Sequence, residues 1–121
     1  MGLLPIREVT NLCYLDSLEP LYKTGRTFPL VITEIDMNHC VVVLSLKNLL
    51  NKNKERIHKL DYTKNYNAYV VKSETHRCVI IIENIWIEGI LTESRKFVGG
   101  EKIIVRPVSL RDIPEFIEEQ E

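Results

Sequence analysis

A mostly β protein is expected from three features of this 121-residue sequence: short apolar runs with the two-residue period of strands, turn chemistry between those runs, and little helical spacing. At 45% hydrophobic residues the chain has enough apolar material to bury a core. A net charge of −1 on 27% charged residues excludes a global field that would attract nucleic acid or a membrane, so any polyanion contact has to be local. No apolar run approaches the ~20 residues that cross a bilayer, and the amino terminus lacks the basic-then-apolar layout of a secretory signal. Met1-Gly2 opens like a myristoylation signal, but Ile6 stands where that signal needs Ser or Thr. Cys13, Cys40 and Cys78 are odd in number and far apart, which fits a reducing compartment and no disulfide framework. The expectation is an intracellular protein without a membrane partner, in cytoplasm, nucleolus or organelle.

The elements follow in order. Phe28, Leu30 and Ile32 alternate with polar neighbours over residues 27–35, the period of a half-buried strand. Asp36-Met37-Asn38-His39 is turn chemistry, because Asp and Asn side chains bond nearby backbone and tolerate left-handed conformations. Residues 40–46, with Val41, Val42, Val43 and Leu44 in succession, are expected as the return strand of a hairpin, buried on both faces. Residues 51–65 carry Lys52, Lys54, Arg56, Lys59 and Lys64 against Glu55 and Asp61, and are expected to be a basic linker or a short exposed helix.

Strand signals return at residues 68–71, and residues 78–82 are the most β-prone stretch of the chain. Glu83-Asn84 turns into a third run, 85–91, which holds the only tryptophan, Trp86. Gly99-Gly100 precedes an alternating strand at 102–108, which Pro107 should confine to an edge or an end. The tail from Asp112 holds five carboxylates, with Ile113, Phe116 and Ile117 spaced for one amphipathic helical turn.

Two segments echo each other. Gly2-Leu3-Leu4-Pro5-Ile6-Arg7-Glu8 aligns with Gly89-Ile90-Leu91-Thr92-Glu93-Ser94-Arg95, and Gly25-Arg26-Thr27-Phe28-Pro29-Leu30 aligns with Gly100-Glu101-Lys102-Ile103-Ile104-Val105. In both, a glycine opens an apolar strand and a second glycine precedes an alternating one, the mark of one supersecondary unit used twice.

The stretch from Gly25 through Glu34-Ile35-Asp36 to Leu44-Ser45-Leu46-Lys47 resembles the last two strands of S1 RNA-binding domains, which end in Leu-Ser-x-Lys. Residues 2–8 are similar to that family's third-strand signature, with Arg7 where the family has Ser. The resemblance implies OB-fold, S1-like five-stranded barrel elements, here as two incomplete copies packed together. Residues 1–50 would be a partial unit of strands three to five, 51–65 a linker, 66–111 a divergent unit of strands one to four, and 112–121 an acidic tail. The halves would then complement each other within one body or across a homodimer. Alternatively, Met1 marks where a longer multi-repeat chain was cut or began.

Such domains hold single-stranded RNA by stacking bases on aromatics and running phosphates along basic side chains. The function implied is an RNA-associated protein of translation, ribosome assembly or rRNA processing, with single-stranded RNA or rRNA as partner and ribosomal or RNA-processing proteins beside it. The alternative is a protein-interaction module whose barrel has lost RNA binding. The family's stacking position on strand two holds Arg77 and Cys78 here, and the third-strand His is Pro5 in one copy and Thr92 in the other. The RNA-contacting candidates are therefore Arg77, Trp86, Arg95, Lys96, Lys102 and Arg106, with residues 52–59 beside them and Tyr69 as a second aromatic. The same cations also serve plain solubility, and aromatics in strands more often belong to cores. Phosphate contacts without stacking imply weak, steeply salt-dependent binding. His39, His58 and His76 lack metal-ligand spacing, and no phosphate loop or nucleophile elbow occurs, so neither an enzyme nor a cofactor or metal is expected.

Overall fold

The computed structural model of the chain describes residues 2–10, 12, 28–74, 77–91, 97–111 and 113–119. Its amino-terminal part is a three-stranded sheet of β1 (Gly2–Leu3), β2 (Val31–Asp36) and β3 (Val41–Ser45) in the order β1-β3-β2. β1 runs parallel to β3 and β2 antiparallel to it. Asp36 makes the β2–β3 hairpin turn: its Oδ1 accepts from the backbone N–H of Asn38 and of His39, and Cys40 closes the loop at φ 54°. The two-sided burial expected for residues 40–46 does not occur. Cys40 is exposed and Val41 to Leu44 are only half-buried, and among the described residues neither face of the sheet carries a full packed layer.

Ser45 ends β3 and caps α1 (Leu46–Lys52), its Oγ accepting from the Asn48 N–H at 2.8 Å and donating to Glu8 Oε2 at 3.1 Å. A 3-10 segment, Asn53–Lys59, follows directly. Of the two alternatives for residues 51–65, a linker or a short exposed helix, the short helix is what forms; it is not wholly exposed, since Asn53, Ile57 and Leu60 are buried and the last two belong to the main core. An amphipathic pattern was diluted by the intervening cations, which point to solvent.

β4 (Tyr66–Ser73), β5 (Cys78–Ile82), β6 (Ile87–Leu91), β7 (Lys102–Ser109) and β8 (Glu115–Glu118) form a closed barrel in the order β4-β5-β6-β8-β7, with β7 back against β4. Ala68, Val70, Cys78, Ile80, Ile82, Ile87, Leu91, Ile103, Val105 and Phe116 fill it. The alternate residues Val71, Val79 and Ile81 point outward, yet they too are buried, against Val9, Leu46 and Leu50. That second layer is why β5 is an unbroken apolar run. Pro107 lies inside β7, paired with Phe116 beside the bulge, rather than at the strand's end; it is beyond the last β4–β7 pair, Tyr66 with Val105, so its missing N–H breaks no bond to β4.

Two expectations about the barrel are corrected. The segment holding Phe116 and Ile117 is a strand rather than a helical turn, and it supplies the fifth strand that residues 66–111 lack. The barrel is therefore complete and extends into the carboxylate-rich tail, and among the described residues none of its strands pairs with β1, β2 or β3. Four residues are too few for periodicity to separate helix from strand, and pairing with both β6 and β7 decides the matter.

Gly89 makes the β6–β8 approach possible. A Cβ there would lie 2.5 Å from Phe116 Cε2 and 2.9 Å from the Pro114 carbonyl oxygen, which accepts the Ile90 N–H.

The β6-β8-β7 part of the barrel repeats the order and strand directions of β1-β3-β2. The irregularities match as well: a bulge separates Ile32, opposite Leu44, from Glu34, opposite Val43, and another separates Pro107, opposite Phe116, from Ser109, opposite Glu115. The offset that aligns Gly25 with Gly100 also aligns Ile32 with Pro107. The offset that aligns Gly2 with Gly89 brings Leu3, opposite Val43, onto Ile90, opposite Glu115.

Candidate nucleic-acid interface

The surface to assess is the outer face of the β5–β6 hairpin, where the sequence places Arg77 at one end and Trp86 at the other. This face is covered by the chain itself. The Thr10 hydroxyl donates to the Glu88 carboxylate, both groups being buried, and Val9 packs on Val79 and Ile81 with α1. Arg77 is drawn into the same contact: its Nη2 donates to the Leu12 carbonyl at 2.6 Å and its Nε to Glu74 Oε2 at 3.3 Å. These bonds fix the guanidinium's direction and engage two of its donors, while the side chain stays 40% exposed.

Trp86 is half-buried in a left-handed conformation, φ 55°, at the end of the turn after β5. That backbone costs a non-glycine residue energy, and two contacts hold it. The Trp86 carbonyl accepts from Asn53 Nδ2 at 3.0 Å, and its ring meets Phe28 edge-on at 5.4 Å. Phe28 also meets buried Tyr69 edge-on at 5.9 Å. Both aromatics that might have stacked bases are thus used to seal the amino-terminal part onto the barrel. Spacing gave no sign of this, because Phe28 joins them only through the tertiary fold.

The remaining candidates do not gather around this face. Lys102 is exposed on β7, beside Tyr69 of β4, while Arg106 pairs with Glu119 at 3.0 Å. Arg95 and Lys96 lie outside the described residues. The exposed cations that do run together are Lys52, Lys54, Arg56 and Lys59 at the end of α1 and along the 3-10 segment. Arg56 donates to the Ile85 carbonyl at 3.3 Å, which anchors the segment to the same turn that Trp86 closes. Asp61 ends the segment; its Oδ1 accepts from the Thr63 hydroxyl and N–H, and these bonds hold its carboxyl below the usual carboxylate range.

Where this segment meets β6 and the β7–β8 loop there is a cleft of ≈ 100 Å³, lined by Leu12, Leu50, Lys54, Ile57, Glu88 and Pro114 among others. It falls well short of the roughly 300–1,000 Å³ of sites that enclose a small molecule. Among the described residues no group of three or more His, Cys, Asp or Glu side chains is placed to hold a metal ion, and no helix is long and apolar enough to cross a membrane. No protein-family model matches the chain, and no curated protein matches it.

Proposed function

We propose that the chain is an S1-like, RNA-associated protein built from two OB-type units in series. It binds single-stranded RNA or ribosomal RNA weakly in translation, ribosome assembly or RNA processing. One observation supports this reading above the rest: strands β1, β3 and β2 share the order, directions and bulge position of β6, β8 and β7, at the offsets of the sequence repeat. The barrel's order, in which the third and fifth strands are neighbours and the fourth returns to the first, is compatible with the OB-fold, whose known ligands include oligonucleotides. RNA is held by its phosphates, on the exposed cations of residues 52–59 and on Lys102, because Tyr69 and Trp86 are committed to internal packing.

A second reading is a protein-interaction module whose barrel has lost RNA binding. The covered β5–β6 face favours it, since OB barrels bind oligonucleotides on their second and third strands. Fluorescence anisotropy of a labelled single-stranded RNA separates the two. The first reading expects affinity in the tens of micromolar that weakens steeply with salt. It also expects Lys52→Glu combined with Lys54→Glu to abolish binding at low salt while Trp86 emission stays unchanged. Absence of salt-sensitive binding at that concentration overturns it and leaves the second.

A further inference from the structure

We propose that the sheet β1-β3-β2 is an acceptor for a β-hairpin of a partner polypeptide, which completes it as β4 and β5 complete the barrel. The barrel itself shows what the occupant must be. There the two outer edges of β6-β8-β7 are taken by one antiparallel hairpin, β5 on β6 and β4 on β7. In the amino-terminal sheet the corresponding edges are β1 and β2, and among the described residues neither has a strand on its outer side.

The face that would become an interior is apolar and open. Ile32 lies opposite Leu44 and Ile35 opposite Val42, all on one side of the sheet because the bulge between them restores the alternation. Leu44 stands where the barrel has Phe116, which is fully buried, and Ile32 stands where it has buried Pro107. Yet Ile32 is 56% exposed and Ile35 59% exposed. Among the described residues none of the amino-terminal part competes for this face, since the cluster beneath α1 is built on Val9, Leu46 and Leu50 and holds no residue of β2 or β3. An exposed strand edge with apolar side chains on one face recruits another strand by main-chain hydrogen bonds, with the side chains setting specificity. The partner is thus a two-stranded hairpin whose alternate residues are apolar, as Ala68, Val70, Ile80 and Ile82 are in the barrel.

The inference rests on the two-unit reading but not on RNA binding, and amide exchange keeps the outcomes apart from an anisotropy titration. The test extends the whole chain before Gly2 with a flexible linker and a second copy of its own residues 66–82, so that the hairpin is present at high effective concentration. Amides of β2 should then exchange on the order of tenfold more slowly than in the unextended chain. Ile35→Glu, at a position more than half exposed, should cancel that gain while leaving the barrel amides as they were. Unchanged β2 exchange in the extended chain overturns the proposal. So does β2 protection already present in the unextended chain together with a dimeric mass by light scattering, because a second copy would then hold the edge.

Discussion

The sheet β1-β3-β2 and the barrel portion β6-β8-β7 share order, directions and bulge, yet β2 is exposed at four consecutive positions while β7 buries Ile103, Val105 and Pro107. Strand pairing and burial are therefore separable. Local patterning and the bulge set the pairing, whereas burial depends on whether a further hairpin closes the sheet. Among the described residues the helical elements beside the amino-terminal sheet, α1 and the 3-10 segment, pack on the barrel instead.

The sharpest way to break this comparison is to truncate equivalent residues. Phe116→Ala empties the barrel core and should cost about 3–5 kcal/mol, whereas Leu44→Ala at the matching place should cost ~1 kcal/mol or less, both read by denaturant unfolding. Equal losses would mean that the open sheet is packed like the barrel. Gly89→Ala tests how β6 and β8 approach. The new methyl would press on the Phe116 ring and the Pro114 carbonyl, and a loss of roughly 2–3 kcal/mol is expected in the same measurement.

Ser45→Ala removes the α1 cap at the joint between the two regions, and about 1 kcal/mol of stability should go with it. The smallest effect is a pH dependence confined to the open hairpin. The His39 side chain, together with the backbone N–H groups of His39 and Asn38, holds the Asp36 carboxyl below its ordinary value of 3.8. A depressed folded-state pKa adds stability above the unfolded value, and that stability is lost as pH falls through the folded one. Protection of the amides of residues 37–40, measured relative to their intrinsic exchange rates, should therefore fall below about pH 3.8, and Asp36→Asn should remove the dependence.

Much of the molecule was legible in its residues. The β content, the Asp36 turn and four of the five barrel strands all rest on local chemistry that survives folding. Two similar apolar runs show where legibility ended. Val41 to Leu44 and Cys78–Ile82 look alike, and two-sided burial was expected of the first; it belongs to the second, because α1 and Val9 cover β5, whereas among the described residues nothing comparable covers β3. The surroundings of two candidate RNA-contacting residues were likewise not legible. Arg77 and Trp86 were reasonable choices by residue type, but Leu12, Asn53 and Phe28, distant in sequence, reach them first.

By itself the sequence determined which segments pair as strands, where they turn, and that one half echoes the other, since these follow from side-chain alternation and backbone preference within a few residues. Only the tertiary structure decided that Glu115–Glu118 closes the barrel, that its β5–β6 face is covered from within, and that Ile32 and Ile35 of the amino-terminal sheet stay exposed. Those outcomes depend on which distant apolar surfaces meet, and hydrophobic burial carries no direction along the chain.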